Sequence, residues 1–158
     1  MPLKYHPKIG SIVFCEFDGM PPEMETAHYA VAVSNDNMPR SGLCTVVPLS
    51  SQPPDVVQKW HHLLAETSTR ALPPHKRAKP SWAKCDMITT VSLQRLSLTG
   101  AGRYGAGGTA GPPVGNDDLQ AIQHCILHVL RLWRLIPPTP PPAPPGDPPQ
   151  GPLIPPGE

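Results

Sequence analysis

Short bursts of β-branched, aromatic and other apolar residues punctuate the first hundred positions of the chain. Ser11 to Phe17 (SIVFCEF), His28 to Ser34 (HYAVAVS) and Leu43 to Pro48 (LCTVVP) read as three strands of one sheet. Trp60 to Leu64 predicts a fourth strand, and Trp82 to Asp86 and Ile88 to Leu93 continue the sheet. Between them, Asp18 to Pro22 and Asn35 to Gly42 supply the Gly, Pro, Asn and Asp of turns and of an exposed loop. Thr67 to Pro80, with His75, Lys76, Arg77 and Lys79, reads as a basic exposed loop, either solvated or placed to meet a phosphate backbone.

The pattern changes near the end. An Asn116 or Asp117 cap precedes Leu119, Ile122, Ile126, Val129, Leu130 and Trp133, spaced as one face of a helix. Many short strands followed by one helix predict a mainly β fold: a small curled β-barrel with a helix packed on it.

Composition sets the boundary of that fold. The chain has 158 residues and 25 prolines, nearly half of them from Pro137 onward. Residues 1–136 are therefore expected to form one domain with a modest core. Residues 137–158, a proline-rich tail, are expected to stay disordered with polyproline II character. The PxxP spacing in PTPPPAPP also fits a ligand for an aromatic-lined groove.

The formal charge is +1, and Asp147 and Glu158 are the only charges after Arg134, so the first 136 residues carry +3. That suits local contact with nucleic acid and excludes the broad positive field of a protein that coats it. Cys15, Cys44, Cys85 and Cys125 form no CxxC pair and read as buried reduced thiols. The N-terminus lacks an apolar signal region, and no run approaches the roughly 18 apolar residues of a membrane span. The expectation is a soluble cytoplasmic protein.

Several motifs carry less chemistry than they suggest. Gly100, Gly102 and Gly105 spell GxGxxG, but no helix follows at once to bind a pyrophosphate, so the span reads as a loop in which Arg103 and a stacking Tyr104 face RNA at most. His124 and His128 stand at a metal-ligand spacing without a third ligand, and no cofactor or metal is expected.

Four blocks in order carry a family resemblance: KIGSIVFCEFDG near the start, PPEMETAHYAVAVS at Pro21 to Ser34, LCTVVPLSS at Leu43 to Ser51, and SWAKCDMITTVSLQRL at Ser81 to Leu96. Together they resemble the PemK/MazF family of toxin endoribonucleases, from about Lys8 to Leu135. The resemblance implies a compact SH3-like barrel working as a homodimer, a single-stranded RNA substrate, and a cognate antitoxin whose disordered segment occupies the same groove.

Metal-free RNA cleavage needs a base for the 2'-OH proton, an acid for the leaving 5'-oxygen, and donors for the charged phosphorane. By resemblance, Glu23 stands at the family's loop carboxylate, Ser50 or Ser51 at its hydroxyl, and Lys84, Cys85 and Asp86 at its basic-Cys-Asp triplet. His61, following Trp60, is a groove-lining candidate. His28 stands where the family has arginine, and Tyr29 follows where proline is usual. Arginine is a permanent forked donor, whereas histidine is partly charged near neutrality and is also a general acid.

The first reading is thus a toxin endoribonuclease with Glu23 as base, His28 as acid or phosphate donor, Ser50 as phosphate donor, and Lys84 and Asp86 orienting RNA. The second is a member that has lost catalysis with the arginine and binds RNA or a protein, as CcdB proteins share the fold and act on DNA gyrase without cutting RNA. The third is an adaptor whose proline tail carries the activity.

Overall fold

The computed structural model describes residues 2–35, 42–98 and 113–138. The GxGxxG span with Arg103 and Tyr104, and the proline tail from residue 139, lie outside the described residues.

The described residues form seven strands, β1 (Ile12–Cys15), β2 (His28–Ala32), β3 (Leu43–Ser50), β4 (His61–Leu63), β5 (Trp82–Lys84), β6 (Thr89–Ser92) and β7 (Leu96–Leu98). They pair in the order β4-β5-β3-β2-β1-β7, with β6 also on β3. Every pairing is antiparallel. The long strand β3 is the hub: Leu43 to Val46 pair with β6, Leu49 and Ser50 with β5, and Val46 to Pro48 with β2. Among the described residues the outer strands β4 and β7 are not joined, so the curled sheet does not close into a full barrel.

Alternation explains why the central strands carry apolar residues in succession. Side chains of a strand point to opposite faces in turn, and here both faces of the central strands are covered. Ile12, Val31, Val47, Leu49, Ala83 and Ile122 share one core, while Val13, Ala30, Ala32, Val46, Val91 and Leu96 share the other. The four cysteines are free and buried within these cores. Burial pushes the Cys15 thiol up to about 12 and raises that of Cys44, so both stay protonated near neutrality.

Three expectations need correction. Strand β7 was not foreseen: it spans three residues after a 3₁₀ turn at Leu93–Arg95 and exists through its pairing with β1. The expected loop at Thr67 to Pro80 contains two four-residue helical turns, α1 (Glu66–Thr69) and α2 (Pro74–Arg77). Buried Ala71 and Leu72 tie the segment to the core, and Pro74 at the first position presets the second turn.

The expected helix is α3 (Asn116–Val129), but its cap is Gly115 and makes no side-chain cap bond. The N-terminus is held instead by buried Asp118, which accepts from Ser68 Oγ at 2.5 Å, His62 Nε2 at 2.7 Å and Ala65 N at 3.1 Å. These bonds fasten α3 to β4 and α1. Leu119, Ile122, Ile126 and Val129 pack on the core as their spacing predicts. Leu130 caps the helix, Arg131 turns left-handed at φ 58, and Trp133 is left 52% exposed rather than on the buried stripe. Among the described residues, no helix is long and apolar enough to cross a membrane.

Candidate active site

Two depressions of the described surface hold Glu23, His28, Ser50, Ser51 and Asp86 among the residues singled out in the sequence, whereas His61, Lys84 and Cys85 line neither. The first, about 490 Å³, is lined by His28 and Tyr29 at the start of β2, Ser50 at the end of β3, Ser51 and Gln52 beyond it, and His75 and Lys76 of α2. The second, about 780 Å³, is lined by Asp18 and Glu23 of the first loop, Asp86 to Thr89, and Ser92 and Arg95. Glu23 therefore does not share a cavity with His28, contrary to the expectation of one site holding both.

His28 pairs with Cys15 in the β1 register, and this fixes its backbone. Its side chain is half-buried, and Thr26 Oγ1 lies 3.2 Å from Nε2. Burial lowers its pKa below the ordinary 6.5, and the charges of Lys76 and then Lys84 lower it further. Folding thus favours the neutral imidazole. Ser50 Oγ accepts from Gln52 N at 3.2 Å, which leaves its own proton free to donate into the cavity.

α2 supplies part of the wall. Lys76 N and Arg77 N bond to Pro73 O at 2.9 and 3.2 Å, and Arg77 Nε donates to Leu72 O at 2.6 Å. Leu72 and buried Ser81 also line the cavity, so the turn that carries His75 and Lys76 is anchored on both sides. Among the described lining residues there is no carboxylate. Imidazoles, hydroxyls and an ammonium suit a phosphate and not a hard cation, which takes oxygen ligands. Nor do any three His, Cys, Asp or Glu among the described residues cluster so as to hold a metal ion.

The second depression is acidic. Asp18 pairs with Arg95 through both carboxylate oxygens, the longer contact being 2.6 Å. Glu23 folds back so that Oε2 accepts from Met20 N at 3.2 Å. This requires glycine at position 19, where a Cβ would stand 2.6 Å from that of Glu23. Gln58 N donates to His61 Nδ1 at 3.2 Å, leaving the ring proton on Nε2, which faces Asp86 Oδ1 at 3.7 Å. Lys84, opposite His61 in the β4–β5 register, lines neither depression, yet its charge reaches His28.

Cys85 does not join its triplet neighbours. It is buried with its Sγ 3.7 Å from Ile122 O, and a hydrogen bond with Cys125 together with burial raises its pKa. Thr26, the α2 residues as cavity wall, and the Asp18–Arg95 pair were missed in the sequence. The basic run at His75 to Lys79 was the one signal for any of them.

The fold and the cavity at the end of β3 define a small, mainly β domain with a site suited to a phosphate. The chain belongs to the family of PemK-like, MazF-like toxins of type II toxin-antitoxin systems, whose family model matches residues 8–130. Among solved structures, MazF from Deinococcus radiodurans superposes with a TM-score of 0.57 at 15% identity, covering 81% of this chain and 99% of that one. An endoribonuclease in complex with its cognate antitoxin from a mycobacterial species gives 0.55 at 14% identity, covering 80% and 96%. The Mycobacterium tuberculosis toxin MazF-mt6 gives 0.53 at 16%, covering 77% and 97%. At these identities the likeness is one of fold. No curated relative matches the sequence.

Proposed function

We propose that this protein is a toxin endoribonuclease that cuts single-stranded RNA by attack of the 2'-oxygen on the adjacent phosphorus, leaving a 2',3'-cyclic phosphate. The observation that carries the reading is the meeting of His28, Ser50 and Ser51 in one cavity, with no carboxylate among its described lining residues, in a chain from this toxin family. His28 and Ser50 hold the scissile phosphate, with Ser51 beside them. Lys84 adds its charge from β5. No metal takes part.

Glu23 and Asp86 stand in the acidic depression, so the role we propose for them is contact with RNA bases rather than with the reacting phosphate. Carboxylates accept from the amino edges of bases and repel phosphates, which suits recognition of a short sequence. His61 orients Asp86. The reading extends to a cytoplasmic homodimer held in check by an antitoxin over the same surface; the family of type II toxins and the neighbour bound to its cognate antitoxin support the antitoxin.

Incubation of antitoxin-free protein with a long single-stranded RNA in EDTA tests this reading. Cleavage at a short sequence, with 2',3'-cyclic phosphate and 5'-hydroxyl ends and lost in His28→Ala, is the expected result. An intact RNA with wild type, and cleavage only by His28→Arg, would overturn it.

A further inference from the structure

We propose that His28 and His75 are the general base and general acid of this cleavage, with Lys76 neutralising the phosphorane between them. The inference rests on the ribonuclease reading and assigns the proton transfers that reading leaves open. Its geometric ground is the makeup of one cavity: two imidazoles and one ammonium line it from two elements, β2 and α2, with no carboxylate among the described lining residues. The loop carboxylate expected to act as base, Glu23, lines the other depression.

The chemistry balances. The 2'-oxygen forms its bond to phosphorus as its proton passes to the neutral His28 ring. The bond from phosphorus to the 5'-oxygen breaks as protonated His75 gives its proton to that oxygen. The products are a 2',3'-cyclic phosphate and a 5'-hydroxyl, with one histidine left protonated and the other neutral. Water then exchanges the two protons, and no further reactant is needed.

Each wall suits its part. A base must start neutral, and the half-buried His28 is biased to that form by its desolvation and by the cations facing it, Lys76 from α2 and Lys84 from β5. An acid must be recharged from solvent, and His75 is exposed at the rim. Lys76 is half-buried on a turn tied to the core beside Leu72, lines the same cavity and bears on His28 through its charge, so its ammonium is available to the charge that develops there. It supplies a permanent charge that histidine at position 28 does not.

The test uses the full chain and two RNA oligonucleotides carrying the mapped cleavage sequence, one normal and one with sulfur in place of the scissile 5'-oxygen. A thiolate leaves without protonation, so the sulfur substrate bypasses the acid alone. His75→Ala is expected to cut normal RNA about 10² to 10⁴ times more slowly than wild type and the sulfur RNA within about tenfold of it. His28→Ala and Lys76→Ala should be slow on both, with Lys76→Arg partly restored. His75→Ala cutting normal RNA at the wild-type rate, or slowed equally on both substrates, would overturn the assignment while leaving the ribonuclease reading intact. If wild type cuts neither RNA, the reading and the assignment fall together.

Discussion

The two depressions differ in the sign of the charge that lines them. One is walled by His28, His75 and Lys76 without a carboxylate among its described lining residues, the other by Asp18, Glu23 and Asp86 with Arg95 already paired to Asp18. A phosphate seeks the first and is repelled by the second, whereas base amino groups find acceptors in the second. The division teaches that a chain of small net charge, +1 at neutrality, can address an anionic polymer by sorting its charges locally instead of accumulating them.

The largest effect that would break this contrast is at His28. His28→Ala should lower cleavage about 10² to 10⁴-fold with little change in RNA affinity, measured by single-turnover kinetics and fluorescence anisotropy. A loss of affinity alone would assign the first depression to binding.

Ser50→Ala removes one donor to the phosphorane and should lower the rate about 10²-fold. Asp118→Ala, outside both depressions, should cost about 1–3 kcal/mol of stability in urea unfolding, because His62, Ala65 and Ser68 lose their shared acceptor. Rates at saturating RNA should hold in that variant, since neither depression includes Asp118.

Much of the frame was legible before folding was considered. Six of the seven described strands fall on runs marked by apolar and β-branched residues, and those of β1 to β3 fill two cores, because residues covered on both faces need no polar alternation to hide them. The helix was legible from its 3.6-residue spacing, but its ends were not. Asp118 fastens the first turn through partners more than 45 positions away, and Leu130 to Trp133 turn away at a left-handed Arg131. The candidate site was legible as residue types. The split between depressions was not, because spacing within a strand says nothing of which loop folds over which end of the sheet. α2 shows the same point: its basic run read as solvated charge or as a phosphate contact, and only the fold, through Leu72, brings it into one cavity with His28.

A smaller effect should appear in the acidic depression. Glu23→Gln should narrow the preference for the cut sequence over other sequences about tenfold, the worth of a lost charged hydrogen bond. The rate at saturation should stay within about threefold. Gly19→Ala, which forces Glu23 from its place, should reproduce the same change.

The smallest effect is on stability against pH. The native pKa of His28 lies below the unfolded value of 6.5, so the unfolded chain binds more protons in the window between them. Its contribution is fully present above about 6.5 and is lost as pH falls toward the native value. Thermal unfolding of wild type and His28→Gln from pH 8 to pH 5 should show the shallower slope in the variant.

The most direct measurement sets His28→Ala and Glu23→Gln beside wild type on one RNA, with binding and single-turnover cleavage read in the same samples. Loss of rate with affinity kept in His28→Ala, and loss of sequence preference with rate kept in Glu23→Gln, is the predicted result. Equal loss of cleavage rate in both variants would contradict it, since both side chains would then serve one reacting centre.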